Sequence, residues 1–436
     1  MCYAIPGKVI DLDPKTATVD YFGEQRKAIN ELKDLKIGDF IYAQGGFVIS
    51  RVSPAEAKQV LDMWREMFFA LRKTDLRLSR LEFEDIGIDK KFSLILDKAA
   101  EGMPLKREEL IRLLEAGNRR ELNLLFKVAN FLRQKHLKNA CCVHGIVEFS
   151  NYCRNDCVYC GIRRSNTVLQ RYRMTDDEIL SAVREAVGKY GFKALVLQSG
   201  EDPEFSADRL SALIKEIRKR HAVLLFISVG EIGKEGLARL YQAGARGLLL
   251  RFETSNPKLY SELHNGDKLE DRLQEIRDAY ELGYLILTGG LIGLPGQGTE
   301  DLLNDVLLTK ELKAEMHTSG PVLPARNASH SEAGGPEGPK SELVLKVLAV
   351  SRIVDPKNAK IVVTTGFETL DPDARRLGLL AGANSMMLNV TPLKYRKLYN
   401  IYPDRAHARE EIETQIKEAI ELLYSLGRAP TDLGIS

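Results

Sequence analysis

The sequence predicts an α/β fold in two unequal parts, a (β/α)8 barrel of the TIM type over residues 141–436 and, ahead of it, a small OB-like β-barrel with a helical connector. Three observations lead there. From residue 144 onward, eight short β-branched or Leu-rich runs alternate with helical stretches, the rhythm of repeated βα units. Each run ends in glycine or polar residues on its C-terminal side, as expected of strands whose ends build one functional face. The first 75 or so residues instead alternate apolar and polar positions over short stretches broken by glycine.

In chain order, Lys8-Val9-Ile10-Asp11-Leu12, Thr16 to Tyr21 and Phe40-Ile41-Tyr42 read as strands of a small antiparallel barrel. Ser53-Pro54-Ala55-Glu56 reads as an N-cap with proline at the first helical position, and Val60, Leu61, Trp64, Met67 and Phe68 give the helix an apolar stripe. This completes a first domain over 1–76. Residues 77–140 are helical and charged, a connector packed on the larger barrel, with a helix opening at Leu105-Lys106-Arg107-Glu108-Glu109-Leu110. The eight barrel strands fall at 144–150, 193–200, 222–229, 247–254, 285–293, 316–323, 359–365 and 385–391. An open doubly wound sheet is the alternative; eight units without an evident break in strand order favour closure. Asn327 to Lys340, rich in Gly, Ser and Glu, reads as a loop over the barrel mouth.

The chain of 436 residues is 44% hydrophobic, enough for more than one core. Lys and Arg number 63 against 61 Asp and Glu, a formal net charge of +2 with the signs mixed, which offers nucleic acid no basic footprint. No apolar run reaches the ~18 residues of a membrane span, and Met1-Cys2-Tyr3 does not open a signal peptide, so a cytoplasmic location is expected. In a reducing compartment, close-spaced cysteines read as metal-binding or catalytic rather than as a disulfide framework.

Cys153-x3-Cys157-x2-Cys160 comes directly after the first barrel strand. Three thiolates on one short loop can hold a cubane iron–sulfur cluster by three irons and leave the fourth without a protein ligand, open to a small chelating molecule. A structural zinc site would need a fourth ligand, and neither Cys nor His stands downstream at zinc-finger spacing. Cys141 and Cys142, entering the first strand at the far end from this loop, point to opposite faces and read as packing residues.

The trio's spacing is that of the radical S-adenosylmethionine (SAM) superfamily. From about 105 onward the chain resembles the HydE-type maturases of iron-only hydrogenase, relatives of biotin synthase and methylornithine synthase. The carrying residues are Val147 to Cys153, Arg171-Tyr172-Arg173-Met174-Thr175, Leu197-Gln198-Ser199-Gly200-Glu201-Asp202, Gly293-Leu294-Pro295-Gly296-Gln297 and Thr391-Pro392 with Tyr395-Arg396 and Tyr399. The resemblance implies a [4Fe-4S] cluster on Cys153, Cys157 and Cys160, with SAM on the open iron. One electron would then release a 5′-deoxyadenosyl radical. It sets Tyr159 beside adenine, and the turn Ser199-Gly200-Glu201 against the SAM ammonium, with Ser228 nearby. Arg251 and Glu253, two apart on the fourth strand, and Arg272 would take the carboxylate and ribose. Substrate-side candidates are Gln198, Thr288, Thr364, Thr365, Tyr395 and Tyr399, all expected near the mouth.

Met1-Cys2-Tyr3-Ala4-Ile5-Pro6-Gly7-Lys8-Val9, continued by Gly38-Asp39-Phe40 and Gly46-Phe47-Val48-Ile49-Ser50, is similar to the HypC/HupF family of nickel–iron hydrogenase assembly chaperones. That resemblance implies that Cys2, once the initiator is removed, binds an iron fragment carrying cyanide and carbonyl. Gln44 stands where that family has a histidine. The two resemblances together imply a metallocofactor maturase acting on a small-molecule or organometallic substrate, supplied by a reducing electron donor and working with other hydrogenase-maturation proteins. Two alternatives remain: an amino-acid mutase of the methylornithine-synthase kind, and a non-catalytic iron carrier or scaffold.

Overall fold

A computed structural model describes residues 3–81, 87–323, 325 and 339–434. The chain begins with five strands, β1 (Gly7–Leu12), β2 (Thr16–Tyr21), β3 (Glu24–Ile29), β4 (Phe40–Gln44) and β5 (Phe47–Val52), closed into a barrel in the order β1-β2-β3-β5-β4. The helix Pro54–Leu78 starts as its sequence predicts, with Ser53 Oγ accepting from the Glu56 amide at 3.2 Å. Trp64, Phe68 and Leu71 bury its inner face against Tyr3, Val9 and Val19 of the small barrel, whereas Met67 faces solvent. The helices Lys90–Glu101, Arg107–Leu114 and Arg119–Leu137 then pack on the outside of the second barrel in one shared core with Leu345, Leu348 and Val363.

That second barrel comprises β6 (Ala140–Ser150), β7 (Ala194–Ser199), β8 (Leu224–Ser228), β9 (Ala245–Leu249), β10 (Leu285–Thr288) with its short continuation β11 (Leu291–Ile292), β12 (Met316–His317) with β13 (Gly320–Pro321), β14 (Lys360–Val363) and β15 (Ser385–Asn389). All its pairings are parallel, and β15 meets β6 from Ser385↔Cys142 to Asn389↔Ile146, so the sheet closes with eight strands. The doubly wound alternative is thereby excluded. A two-residue strand, β16 (Ala429–Pro430), lies against the start of β6. Parallel strands covered on both faces are apolar throughout rather than alternating, and every residue of β6 is buried.

Three predicted strands differ in detail. The runs at 285–293 and 316–323 are each broken in two, because the chain kinks at Gly289, where a Cβ would lie 2.7 Å from the Ser319 amide. The run at 247–254 ends at Leu249: Arg251 and Glu253 sit on a turn, and Glu253 has φ +67°, a left-handed conformation rare for a non-glycine residue. The strand alternation invoked for that pair does not apply.

The small barrel docks on the floor of the large one. Alternate residues of β5 divide between two cores: Val48 points into its own barrel, while Phe47 and Ile49 pack with Cys142, Val196, Phe226 and Met316 at the N-terminal ends of the large-barrel strands. Gly45, at φ +54°, lets the β4–β5 turn come so close that a Cβ there would meet Leu224 Cδ2 at 2.6 Å. Tyr3 is buried at the same junction, its hydroxyl 3.1 Å from Asn139 Oδ1, and Gln44 donates to the Tyr3 carbonyl at 3.4 Å. Cys2 and the loop positions 327–338 lie outside the described residues. Among the described residues no helix is long and apolar enough to cross a membrane.

Candidate active site at the barrel mouth

The opposite, C-terminal face of the large barrel holds a cavity of about 330 Å³. The loop after β6 that carries the three cysteines is held by local polar bonds to backbone atoms. Asn151 Nδ2 donates to the carbonyls of Gln170 and Leu398, both at 2.9 Å, and Asn151 Oδ1 accepts from the Tyr172 amide. The Arg171 guanidinium reaches the carbonyls of Ile162 at 2.8 Å and Arg163 at 2.6 Å, so one side chain orders the turn just past Cys160. Gly161 is required by close approach: a Cβ would lie 2.0 Å from the Asn400 carbonyl oxygen.

Cys153, Cys157 and Cys160 all line the cavity. Burial and the proximity of the other two sulfurs push the Cys157 thiol well up, and burial pushes Cys160 up to about 12. Buried thiols this reluctant to ionise are stabilised as thiolates by a multivalent cation, which a cluster supplies. The Glu201 amide approaches Cys153 Sγ at 3.4 Å. Gly200 brings the β7 turn against the loop, since a Cβ would meet the Tyr152 carbonyl oxygen at 2.2 Å.

Of the residues singled out from sequence, Tyr159, Gln198, Ser199, Gly200, Glu201, Ser228, Arg251, Glu253, Arg272, Thr364, Thr365 and Tyr399 all line this cavity with the trio. Arg251 Nη2 lies 3.1 Å from Glu253 Oε2 and donates to the Gly290 carbonyl at 2.7 Å. Arg251 Nε finds no hydrogen-bond partner among the described residues, leaving a buried donor unsatisfied beside the cavity, next to the carboxylate of Glu253. Arg272 donates to the Arg251 carbonyl at 2.8 Å and pairs with Glu231. The Glu201 carboxylate is already engaged, with Arg154 at 2.7 Å, the Glu231 amide at 3.0 Å and Asn155, and so ties the cysteine loop to β7 and β8.

Tyr395 is not at the mouth. Its ring stacks on Tyr172 at 4.9 Å and its hydroxyl donates to Glu178 at 2.6 Å, because the helical turn Leu393–Arg396 points it outward against the helix Asp176–Gly188. Thr288 is buried within the barrel wall and does not line the cavity.

The structure adds residues that sequence reasoning passed over. His264 accepts at Nε2 from the Tyr159 hydroxyl at 3.3 Å, since its Nδ1 donates to the Tyr260 carbonyl at 2.9 Å, and burial keeps the ring neutral. Arg405 lines the cavity and pairs with Glu148, both almost wholly buried, while Asn389 donates to the same carboxylate at 2.8 Å. Gln198 Nε2 reaches the Tyr399 hydroxyl at 3.4 Å beside them. No local pattern marks Arg405 and Asn389: their Glu148 partner, 257 and 241 positions away, leaves no periodic trace.

Three thiols and an Arg–Glu pair at the mouth of a closed parallel barrel suit a cluster with an open iron, and a family model for the radical SAM superfamily matches residues 147–308. A second, for the HupF/HypC family, matches residues 1–64. The [FeFe] hydrogenase maturase subunit HydE of Thermotoga maritima is 39% identical over 338 residues, covering 77% of this chain and 94% of that one. The 3-methylornithine synthase of Methanosarcina acetivorans is 29% identical, covering 77% and 93%. The crystal structure of methylornithine synthase (PylB) matches with a TM-score of 0.66 at 26% identity, over 77% of this chain and 97% of that one. The chain belongs to the HydE family of radical SAM enzymes, with a HupF/HypC-type module at its start. It is an enzyme of the [4Fe-4S]- and SAM-dependent kind.

Proposed function

We propose that this enzyme takes part in maturing a hydrogenase-type iron centre, using radical chemistry on a small organic or iron-bound precursor held in the barrel. One observation carries the reading. A chain that spans 94% of a hydrogenase maturase also bears a module of a hydrogenase assembly family.

Cys153, Cys157 and Cys160 would hold the cluster, which with SAM supplies one-electron cleavage of the sulfonium. The remaining work falls to the chain's own side chains. The unsatisfied Nε of Arg251 offers a charge-assisted bond to the SAM carboxylate, and Glu253 accepts from the ribose hydroxyls. The Ser199-Gly200 turn would receive the ammonium; Glu201, its carboxylate engaged by Arg154 and Asn155, would hold the loop rather than the ligand. Tyr159, fixed by neutral His264, offers its ring to the adenine, with Arg272 and Ser228 completing the wall. On the far side Gln198, Tyr399, Thr364 and Thr365, together with Arg405, present donors suited to a small anionic or carboxylate-bearing substrate. A cavity set inside the barrel mouth keeps stray hydrogen donors from a carbon radical.

For the first module we infer an iron-carrying role centred on Cys2, with a reducing protein as electron donor. The module sits on the barrel floor, which side chains fill, and the cavity lies at the mouth, so an iron species would have to travel around the barrel or pass from one copy to another.

Anaerobic, cluster-reconstituted protein given SAM and a strong reductant is expected to form 5′-deoxyadenosine. Protein co-expressed with nickel–iron hydrogenase assembly proteins is expected to carry infrared bands of cyanide or carbonyl, lost in Cys2→Ala. Absence of the nucleoside with a full cluster complement would point to a scaffold. The 29% identity to 3-methylornithine synthases supports a second reading, an amino-acid mutase, for which rearrangement of lysine is the deciding product.

A further inference from the structure

The floor of the barrel brings together a second set of ligand-type side chains, far from the mouth. Cys142 and His144, two apart on β6, point inward, and Asp432 lies just beyond β16 along the same strand. Their candidate ligand atoms all lie within 4.8 Å of one another, and all three residues are at least 97% buried. His144 Nε2 is 3.3 Å from Asp432 Oδ2, and Thr431 donates to that same oxygen at 2.7 Å. The imidazole is held face-on by Phe226, ring centroids 5.0 Å apart, while its Nδ1 is buried with no partner among the described residues. A void of about 10 Å³ opens beside the three, the size of a single ion or water.

We propose that Cys142, His144 and Asp432 form a second metal site on the barrel floor, for one divalent ion of borderline softness such as Zn²⁺. The donor set of one sulfur, one imidazole and one carboxylate is the mixture that such ions accept, and the void gives room for the ion itself. Tetrahedral coordination at about 2.0–2.3 Å with one sulfur sets ligand atoms about 3.3–3.6 Å apart, so the spread here would close by no more than about 1.5 Å. Charge also balances. The thiolate, after releasing its proton, and the carboxylate together neutralise a dication, and the neighbouring Lys360 is cancelled by its ion pair with Glu315. The ion would staple the C-terminal segment to β6 directly under the turn at Gly45, joining two separate stretches of chain where the small module docks.

The test uses the full chain with its cluster reconstituted, dialysed against buffered zinc alone, then read by zinc content and zinc-edge X-ray absorption, to which cluster iron does not contribute. The expected result is one equivalent of zinc with one sulfur neighbour at about 2.3 Å and the rest nitrogen or oxygen. Cys142→Ser is expected to lose the sulfur neighbour and weaken binding on the order of tenfold or more, and Cys2→Ser to leave both unchanged. Zinc should raise the unfolding temperature of the parent and not of Cys142→Ser. Should Cys142→Ser fail to fold, Asp432→Asn decides: weaker zinc binding with the sulfur neighbour retained supports the site, and unchanged affinity refutes it. Protein that binds no zinc, zinc without sulfur, zinc with two or three sulfurs, or a sulfur neighbour that survives Cys142→Ser overturns the proposal.

Discussion

At the scale of single residues, the mouth depends on positions where a side chain is either forbidden or already engaged. At Gly200 one is forbidden, since its Cβ would collide with a backbone carbonyl, which cannot move aside as a side chain can. Gly200→Ala should displace the cysteine loop and reduce 5′-deoxyadenosine formation by on the order of a hundredfold, with circular dichroism and thermal unfolding of the rest nearly unchanged. Asp305 is engaged: it accepts from the Ser255 amide and hydroxyl, both at 2.6 Å, and from Gln297 at 3.0 Å, bracing the turn that carries Glu253. Burial pushes its pKa up to about 6, above the ~4 of an unfolded chain. The raised value favours the protonated form in the folded state, so its contribution is complete below pH ~4 and lost as pH rises through about 6. Replacing it by asparagine should remove a stability slope of up to about 1.4 kcal/mol per pH unit in that window, read as the difference between parent and D305N in urea midpoints. Local spacing made the trio legible and the family resemblance brought in Gly200 and Arg251, whereas Arg405, His264 and Asp305 were left unmarked, since Arg405 and His264 meet Glu148 and Tyr159 from far along the chain.

Among the elements, the β4–β5 hairpin does two jobs with one strand, and its side chains divide by parity. Phe47 is buried in the floor of the large barrel, so Phe47→Ala should cost about 3–5 kcal/mol, seen as a lower denaturant midpoint, whereas substitution of Ser50 should cost little. Gly45→Ala should act differently, by prising the hairpin from Leu224 and raising hydrogen exchange in β5 and the start of β8 together; exchange that rises in neither would contradict the docking. Eight strands could be read from β-branched runs because parallel strands, covered on both faces, are continuously apolar. The kinks after Leu249 and at Gly289 could not, since they arise from contacts with Ser319, Gly290 and Asp305 on other units of the barrel. The two-residue alternation of apolar positions in the small barrel was equally silent about which face of β5 would meet a second domain.

For the whole molecule, the order of parts along the chain conceals their placement: the first module closes one end of the large barrel and the cavity opens at the other. Both resemblances were legible in motifs, but a motif says nothing of which surface a domain covers, because docking is decided by side chains drawn from several strands at once. The floor residues Cys142, Val196, Phe226 and Met316 are apolar or weakly polar and are covered by Phe47 and Ile49, so the large barrel alone would present them to water. A chain truncated to residues 79–436 should therefore bind the dye ANS, self-associate at micromolar concentration and unfold at lower temperature than the full chain. Adding back the first module in trans should reverse dye binding if its fold survives separation. A truncated barrel that stays monomeric, silent to the dye and as heat-resistant as the parent would mean that the small module is a passenger rather than the floor of the enzyme, and the barrel interior would then be free to open at both ends.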